Sequence, residues 1–310
     1  MTKLKYITIS VILLLLLSVA RPSLNVSAGP LAVTSPGLGA ADSFAVLSGA
    51  LNSSIPTSSI TGNVGVDPIG GASITGLTCA EVTGTIYDND GGYTGNGGGS
   101  TACRVTDAGL LTSAKNDLVT AYDGLAALDN ATCTSIPSEL GGQSLVAGVY
   151  CAGTFTLTGI LNLQGAGVWI FRSADTIITA PGSSVTGGDP CNVWWRSESS
   201  VTLDSTTSFI GNILALTSIT MNTGASLTGR ALARNGAVTL QQNTISRPIC
   251  TAPTVTEVLE EDTVTVRALP NTGGAPIRND SFPWTLAIFG SFSAIALILG
   301  LRTYLRANKQ

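Results

Sequence analysis

Short pieces of one type recur along this chain, and their spacing constrains the fold more than any other feature. Each piece consists of a serine or threonine, an apolar residue, a threonine and a glycine. The copies occupy residues 59–62, 73–76, 156–159, 184–187 and 226–229. A second series places Thr202, Thr220 and Thr239 at intervals of 18 and 19 residues. A period of about 18–24 residues with two or three short extended pieces is typical of a β-solenoid.

The alternation within each piece predicts how the repeats fold. Successive side chains of a strand point to opposite faces, so the central apolar residue points inward and the flanking hydroxyl residues point outward. Glycine follows where the chain turns a corner. Three sides per coil predict a mainly β fold, a β-solenoid of triangular cross-section. Leucine-rich repeats would need a regular leucine spacing that this chain lacks. A β-sandwich, whose short strands also fit the spacing, remains the alternative.

One segment departs from the β pattern and predicts a helix over about residues 106–128. Its apolar residues recur at the spacing of an amphipathic helix. They are Leu110, Leu111, Ala114, Leu118, Ala121, Tyr122, Leu125 and Leu128. Thr106 or Asp107 can cap the first turn. A helix of about 33 Å matches six or seven coils stacked about 4.8 Å apart. We therefore expect it to pack along one side of the solenoid.

The composition excludes several classes of function. The chain has no histidine, which removes Ser-His-Asp triads, Cys-His pairs and histidine-based zinc sites. Charged residues make up 11% of the chain, against about 25% in typical proteins. Only four lysines are present, too few to favour a surface that follows nucleic-acid phosphates. We therefore expect no nucleic-acid partner, no metal and no cofactor.

The carboxylates give little sign of enzymatic chemistry. Residues 88–91 (Asp-Asn-Asp-Gly) lack the remaining ligands of a calcium loop, so we interpret them as a turn. Asp175, Asp189 and Asp204 are similar to the carboxylates of polysaccharide-cleaving β-helices. Glycosidase chemistry needs two carboxylates at a set separation, and the sequence identifies no such pair. Trp194 and Trp195 are adjacent, so one points inward and the other is covered by the helix or contacts a sugar.

Six cysteines indicate disulfides. An even number in an exported chain is typical of a disulfide framework, and six cysteines allow fifteen pairings. We favour pairs of cysteines that are consecutive in the sequence. These pairs are Cys79–Cys103, Cys133–Cys151 and Cys191–Cys250. The alternative is a metal site, although the chain contains no C-x-x-C spacing.

The N-terminus has the pattern of a secretory signal peptide. Lys3 and Lys5 precede an apolar run over residues 7–20, and small residues stand near Ala28. We predict residues 1–28 to be this signal. The alternative is an uncleaved anchor, but the run is shorter than the roughly 20 residues that a membrane span needs.

The C-terminus has three parts that resemble the LPxTG-type sorting signal of surface proteins from Gram-positive bacteria. Residues 269–273 (Leu-Pro-Asn-Thr-Gly) precede an apolar stretch, 284–301, and a basic tail. We expect residues 269–310 to form this signal, with 284–301 as a transmembrane helix. The resemblance implies that a sortase cleaves between Thr272 and Gly273 and joins the protein to cell-wall peptidoglycan. The alternative is a plain C-terminal membrane anchor.

Residues 251–268, which are acidic and lack a helical pattern, are predicted to be an extended stalk.

The chain from about residue 37 to residue 246 resembles the microbial ice-binding protein domain family. Six blocks carry the resemblance in the same order. They are residues 38–49 (LGAADSFAVLSG), 60–66 (ITGNVGV), 139–142 (ELGG), 148–151 (GVYC), 211–220 (GNILALTSIT) and 229–240 (GRALARNGAVTL). The resemblance implies a domain over residues 29–250, a right-handed discontinuous solenoid in which an N-terminal coil packs beside C-terminal ones. It also implies adsorption to ice through one flat face.

Two sets of outward residues are candidates for such a face. Threonine has a restricted χ1 angle, so a strand array repeats its methyl and hydroxyl groups at regular positions. The leading candidate face comprises Ser59, Thr61, Ser73, Thr75, Thr156, Thr158, Ser184, Thr186, Ser226 and Thr228. The second candidate is the column Thr202, Thr220 and Thr239. The alternative interpretation is that these residues simply favour strands on a solvated surface.

These observations predict a cell-surface protein that is not an enzyme and that adsorbs to ice. Its expected partners are an ice crystal, a sortase with cell-wall peptidoglycan, and the membrane before processing. The main alternative is a surface adhesin or structural wall protein that uses the same solenoid without ice affinity. A carbohydrate-active enzyme is a third hypothesis.

Overall fold

The computed structural model describes residues 35–50, 52–55, 57–128 and 133–250. The predicted signal peptide, stalk and sorting signal, including the stretch 284–301, lie outside these residues. Within the described ranges, no helix has both the length and the apolar character that a membrane span requires.

The described residues fold mainly as β-strands, arranged in two sheets whose strand pairings are all parallel. The smaller sheet has seven strands. In spatial order these are β11 (Phe155–Leu157), β13 (Ile177–Thr179), β16 (Val201–Leu203), β18 (Ile219–Met221), β20 (Val238–Gln241), β2 (Asn52–Ile55) and β5 (Ile74–Thr75). The parallel pairings exclude the antiparallel β-sandwich.

The larger sheet has fourteen strands. Its main path is β8 (Arg104–Thr106), β7 (Ile86–Asp88), β4 (Asn63–Val66), β1 (Phe44–Ser48), β19 (Ser226–Ala233), β17 (Ser208–Ala215), β14 (Ser184–Gly187), β12 (Ile160–Ser173), β10 (Ser144–Ala152) and β9 (Cys133–Ser135). Four further strands pair beside this path. They are β15 (Val193–Ser197), β21 (Thr244–Ser246), β3 (Ser59–Thr61) and β6 (Val82–Thr83).

The larger sheet divides into two sides because its long strands bend. The first part of β12 pairs with β14, and its last part pairs with β15. Strand β17 bends at Gly211, whose φ is 107°, a value that favours glycine. A Cβ atom at Gly211 would lie 2.6 Å from the Val193 carbonyl oxygen. We call the side that includes β14 and the first part of β17 the serine side. The side that includes β15 and the last part of β17 is the helix side.

The spatial order of the coils differs from their order in the chain. The coil that begins with β1 stacks on the coil formed by β19 and β20, with Val46 opposite Ala231 and Ser53 opposite Thr239. Strand β3 likewise pairs with β21. Strands β1, β2 and β3 therefore lie beside the C-terminal strands β19, β20 and β21. Coils that follow one another in the chain pair at steps of 18 to 24 residues, such as Ser184 to Ser208 and Ser208 to Ser226, which accounts for the period in the sequence.

One long helix, Ala108–Ala127, packs against the helix side. Its bounds confirm the predicted helix. The Asp107 carboxylate caps the first turn by accepting a hydrogen bond from the Leu110 N–H at 2.9 Å. The Arg172 guanidinium donates to the carbonyls of Ala126 and Leu128 at the other end. The remaining helical segments within the described ranges are short. They are the turn Gly95–Gly98 and the 3₁₀ turns Gly39–Ser43, Gly71–Ser73 and Pro190–Asn192.

The buried apolar residues form two clusters. The first fills the interior of the stack, where the Phe171 and Trp195 rings stack with centroids 4.0 Å apart. The second lies between the helix and the helix side of the stack. Trp194 belongs to this second cluster and is 2% exposed, so the outward tryptophan of the pair is covered by the helix and not by a sugar.

The three predicted disulfides are confirmed. Cys79 pairs with Cys103, Cys133 with Cys151 and Cys191 with Cys250. The Cα atoms of these pairs are 5.5, 5.9 and 5.5 Å apart, within the range that a disulfide spans without backbone movement.

Candidate functional site

A row of hydroxyl and β-branched side chains crosses the seven-stranded sheet. Each strand contributes one outward residue to this row, and the strand register places them side by side. In spatial order the residues are Thr156, Ile178, Thr202, Thr220, Thr239, Ser53 and Thr75. We call this set the threonine row. Seven strands about 4.8 Å apart make the row about 29 Å long.

The residues on each side of the row hold its side chains in place. In β16, β18 and β20, the outward threonine stands between two buried apolar residues, such as Ile219 and Met221 around Thr220. These inward residues belong to the interior cluster. Since the strand alternates and its inward residues are packed, each threonine is fixed in an outward position. None of the seven residues carries a charge.

Two carboxylates border the row and are tied to hydroxyl and amide groups. At one end, Glu139 accepts hydrogen bonds from the Thr156 hydroxyl at 2.9 Å and the Thr158 N–H at 2.7 Å. Partial burial acts to raise the pKa of Glu139. The hydrogen bonds from the N–H groups of Thr158 and Gly141 and from the threonine hydroxyls outweigh it, so the pKa is lowered. Beside the row, Asp204 accepts from the Asn222 amide at 3.0 Å.

The serine side presents two further rows of outward residues. The first row is Ser59, Thr244, Ser226, Ser208, Ser184 and Ile160. The second row is Thr83, Thr61, Ser246, Thr228, Ile210, Thr186, Asn162 and Ser144. Half of these fourteen positions are threonine or isoleucine, and the others are serine or asparagine.

The structure divides the leading set of sequence-predicted residues between two sides. Six of them lie on the serine side: Ser59, Thr61, Ser184, Thr186, Ser226 and Thr228. Thr75 and Thr156 belong to the threonine row. Ser73 lies in a 3₁₀ turn, where its hydroxyl donates to the Gly70 carbonyl, and Thr158 follows β11. The ten residues therefore do not form one face, because the repeated piece determines which residue points outward and not which side of the coil the strand occupies.

The second predicted set, Thr202, Thr220 and Thr239, lies on three neighbouring strands of the seven-stranded sheet. The sequence prediction missed two members of the same row, Ser53 and Ile178. Neither stands in a Val/Ile-Thr-Leu/Met piece, so the repeat gave no signal for them. Ser53 comes from the N-terminal coil, and its hydroxyl lies 3.4 Å from the Thr239 hydroxyl.

The carboxylates of Asp88 and Asp189, also considered above, have local structural contacts. Asp88 accepts hydrogen bonds from the N–H groups of Gly91 and Tyr93 and from the Thr106 hydroxyl, so residues 88–91 form a turn. Asp189 caps the turn Pro190–Asn192. In the part of the chain that the structure describes, no group of three histidine, cysteine or acidic side chains is placed to hold a metal ion.

Comparison with known proteins identifies the family. The family model described as "Ice-binding-like" matches residues 46–246. The chain belongs to this family. It is 38% identical over 218 residues to an ice-binding protein of Flavobacterium frigoris, covering 68% of this chain and 76% of the relative. It is 39% identical over 233 residues to an ice-binding protein of a Nostoc species, covering 72% of this chain and 78% of the relative.

Solved structures of ice-binding proteins resemble this family member in fold. A domain of ice-binding protein 1 from Shewanella frigidimarina aligns with a TM-score of 0.62 and 28% identity, covering 70% of this chain and 99% of that domain. A glycosylated ice-binding protein from an Arctic yeast aligns with a TM-score of 0.62 and 30% identity, covering 73% of this chain and 99% of the other.

Proposed function

We propose that this protein is a non-enzymatic ice-binding protein and that it adsorbs to ice through the threonine row. The observation that carries the proposal is the row itself, which is uncharged and held in register in a member of the ice-binding family. A fixed array of methyl and hydroxyl groups can hold ordered water that merges with the ice lattice. Because the strands are rigid before binding, little conformational entropy is lost on adsorption.

The proposed fold behind this face is a right-handed solenoid with three sides per coil. In one coil the chain runs along the serine side through residues 226–228 and along the helix side through residues 230–233. It then crosses the seven-stranded sheet in β20 and returns to the serine side in β21. Three straight segments per turn support a triangular cross-section, and the parallel pairing of successive turns supports a solenoid.

The threonine row is a better candidate than the serine side because of its side-chain types. Six of its seven residues are β-branched, whereas only half of the fourteen positions on the serine side are. A β-branched side chain is restricted at χ1, and threonine also fixes a methyl group beside its hydroxyl. Serine lacks the methyl group and rotates more freely. The threonine row therefore presents the more uniform array.

The proposal is tested by placing bulky side chains on each face of the full chain. Replacing both threonines in T202Y/T220Y should abolish thermal hysteresis and inhibition of ice recrystallisation. The matched control T186Y/T228Y places the same bulk on the serine side and should retain activity. Thermal unfolding followed by circular dichroism shows whether both variants remain folded. Loss of activity in the control alone would assign ice binding to the serine side. An inactive parent chain would instead support the alternative of a surface protein without ice affinity.

We further propose that residues 29–250 are displayed at the cell surface by a cell-wall anchor. The support is the order of the sorting motif, the apolar stretch 284–301 and the basic tail. A sortase would cleave after Thr272 and join the chain to peptidoglycan. In a host that has a sortase, T272A should move the protein from the cell-wall fraction to the membrane fraction. Unchanged recovery from the wall fraction would contradict this assignment.

A further inference from the structure

Both ends of the described domain meet at one corner of the stack. Near the beginning, the Ser35 hydroxyl accepts a hydrogen bond from the Trp194 indole N–H at 2.8 Å and donates to the Cys191 carbonyl at 3.3 Å. At the other end, Cys250 forms the disulfide to Cys191. Ser35 and Cys250 are therefore both held at Cys191, and we call this place the tether corner.

The tether corner is the one corner of the coil that does not adjoin the seven-stranded sheet. Cys191 lies between β14 on the serine side and β15 on the helix side. Cys250 follows β21, which is also on the serine side. Each strand of the threonine row lies between the other two corners. Strand β20, for example, follows the corner after residue 234 and precedes the corner before residue 243. Cys250 thus lies at the corner opposite the threonine row.

A buried arginine fixes the tether corner to the stack. Arg230 is fully buried, and its Nη2 atom donates to the Asp42 carboxylate at 2.7 Å and to the Pro248 carbonyl at 3.3 Å. Its Nη1 atom donates to the Asn212 side chain at 2.8 Å in the neighbouring coil. One guanidinium therefore joins the first described segment, the last described segment and two adjacent coils.

We infer that the tether corner is the attachment point at which force enters the domain, so that a chain held after Cys250 presents the threonine row outward to ice. This inference rests on the proposed function, because that function identifies the threonine row as the surface that must face ice. A pull at Cys250 enters the stack at Cys191 through the disulfide. Without that bond, the pull would act first on β21, a three-residue strand. The acidic residues 251–268 that follow, with four acids and one arginine, suit a solvated tether.

The orientation is tested with two exposed isoleucines. Ile249 is 84% exposed at the tether corner, and Ile178 is 46% exposed in the threonine row. In the full chain, each is replaced separately by p-azidophenylalanine and coupled to a long polyethylene glycol chain. Recrystallisation inhibition should survive coupling at 249 and be lost after coupling at 178. Loss of activity on coupling at 249 would overturn the orientation. If the parent chain is inactive, the proposed function fails. The mechanical experiment below then decides whether force enters the domain at the tether corner.

The mechanical role is tested by pulling the full chain between Gln310 and an azide handle at position 178 in optical tweezers. In the variant C191A/C250A, residues 244–250 should detach in an early step of about 25 Å, since an extended residue spans about 3.5 Å. The parent chain and the matched control C79A/C103A, which lacks a disulfide elsewhere, should not show this step. An early step of the same size in all three proteins, or in none, would overturn the mechanical role of the tether corner.

Discussion

Two sides of the same stack differ in what their outward residues contact. On the helix side, six outward residues are apolar and lie buried beneath the helix, beside polar outward residues such as Arg196 and Asn212. The six apolar residues are Leu47, Val149, Ile170, Trp194, Leu214 and Leu232. On the seven-stranded sheet, the threonine row faces solvent. The strands of both sides bury their inward residues in the same interior cluster. The outward side chain, and not the strand that carries it, therefore determines whether a side is covered.

Polar contacts reinforce the covering of the helix side. The Lys115 ammonium donates to the carbonyls of Ala233 and Arg234 at 3.0 and 2.6 Å. The Arg196 guanidinium lies 4.3 Å from the centre of the Tyr122 ring and donates to the Tyr122 carbonyl. The helix side thus has an apolar surface and cationic groups that fasten the helix, whereas the threonine row has neither. We expect mutations on the helix side to change stability and mutations in the row to change ice binding.

The largest expected effect is on the helix side. Leu118 is fully buried between the helix and the stack. L118A should lower the free energy of unfolding by about 2–5 kcal/mol, because it leaves a cavity in a packed interface. T220A in the threonine row should change it by less than about 0.5 kcal/mol. Urea unfolding of the two variants measures the contrast, and equal losses of stability would contradict it.

A second effect concerns the charge of Lys115. Burial lowers the pKa of Lys115 to about 8, with Arg234 adding to the shift and Asp67 opposing it. The unfolded chain keeps the lysine protonated to a higher pH, so it binds more protons than the folded chain above pH 8. Stability should therefore rise by about 1–2 kcal/mol between pH 8 and 9.5. Denaturant unfolding at several pH values measures this rise.

The control for this pH dependence is K115M, which lacks the titrating group and should not show the rise. Burial raises the pKa values of Tyr93, Tyr122 and Tyr150, so these phenols remain protonated in the folded state at a pH where the unfolded chain ionises them. They act to lower stability only as the pH approaches about 10. The lysine therefore makes the larger contribution between pH 8 and 9.5, and the comparison with K115M separates it from the tyrosines. A rise of the same size in K115M would contradict the assignment.

The helix could be predicted because its signal is a local spacing of apolar residues. The three disulfides could be predicted from the even number of cysteines and their consecutive order. The apolar spacing from Leu110 to Leu128 specifies a helix, and Asp107 supplies a cap. The membership of each face could not be predicted in the same way. Thr75 and Thr61 stand in identical pieces, yet the structure places them on different sides. Which side a strand occupies depends on the length of the turns between strands and on the displaced position of the N-terminal coil, and neither is encoded in the piece itself.

A smaller effect is expected at the start of the helix. The Asp107 carboxylate accepts a hydrogen bond from the Leu110 N–H, one of the donors that a helix leaves unpaired at its first turn. D107A should lower the free energy of unfolding by about 1 kcal/mol. T112A, on the exposed surface of the same helix, should stay within about 0.5 kcal/mol of the parent. Urea unfolding again separates the two, and no loss in D107A would mean that the cap does not contribute.

The smallest effect on stability, and the sharpest test of the threonine row, comes from two substitutions of Thr220 that remove its hydroxyl or its methyl group. T220V keeps the β-branch and the methyl group of the threonine row but removes the hydroxyl. T220S keeps the hydroxyl but loses the methyl group and the restriction at χ1. Both should change the free energy of unfolding by less than about 0.5 kcal/mol.

If a fixed methyl array organises the water at this face, T220S should lose more thermal hysteresis than T220V. The same pair of substitutions at Thr228, on the serine side, should leave thermal hysteresis unchanged. A larger loss in T220V would instead assign the main role to the hydroxyl groups, and the preference for the β-branched row over the serine side would lose its physical basis.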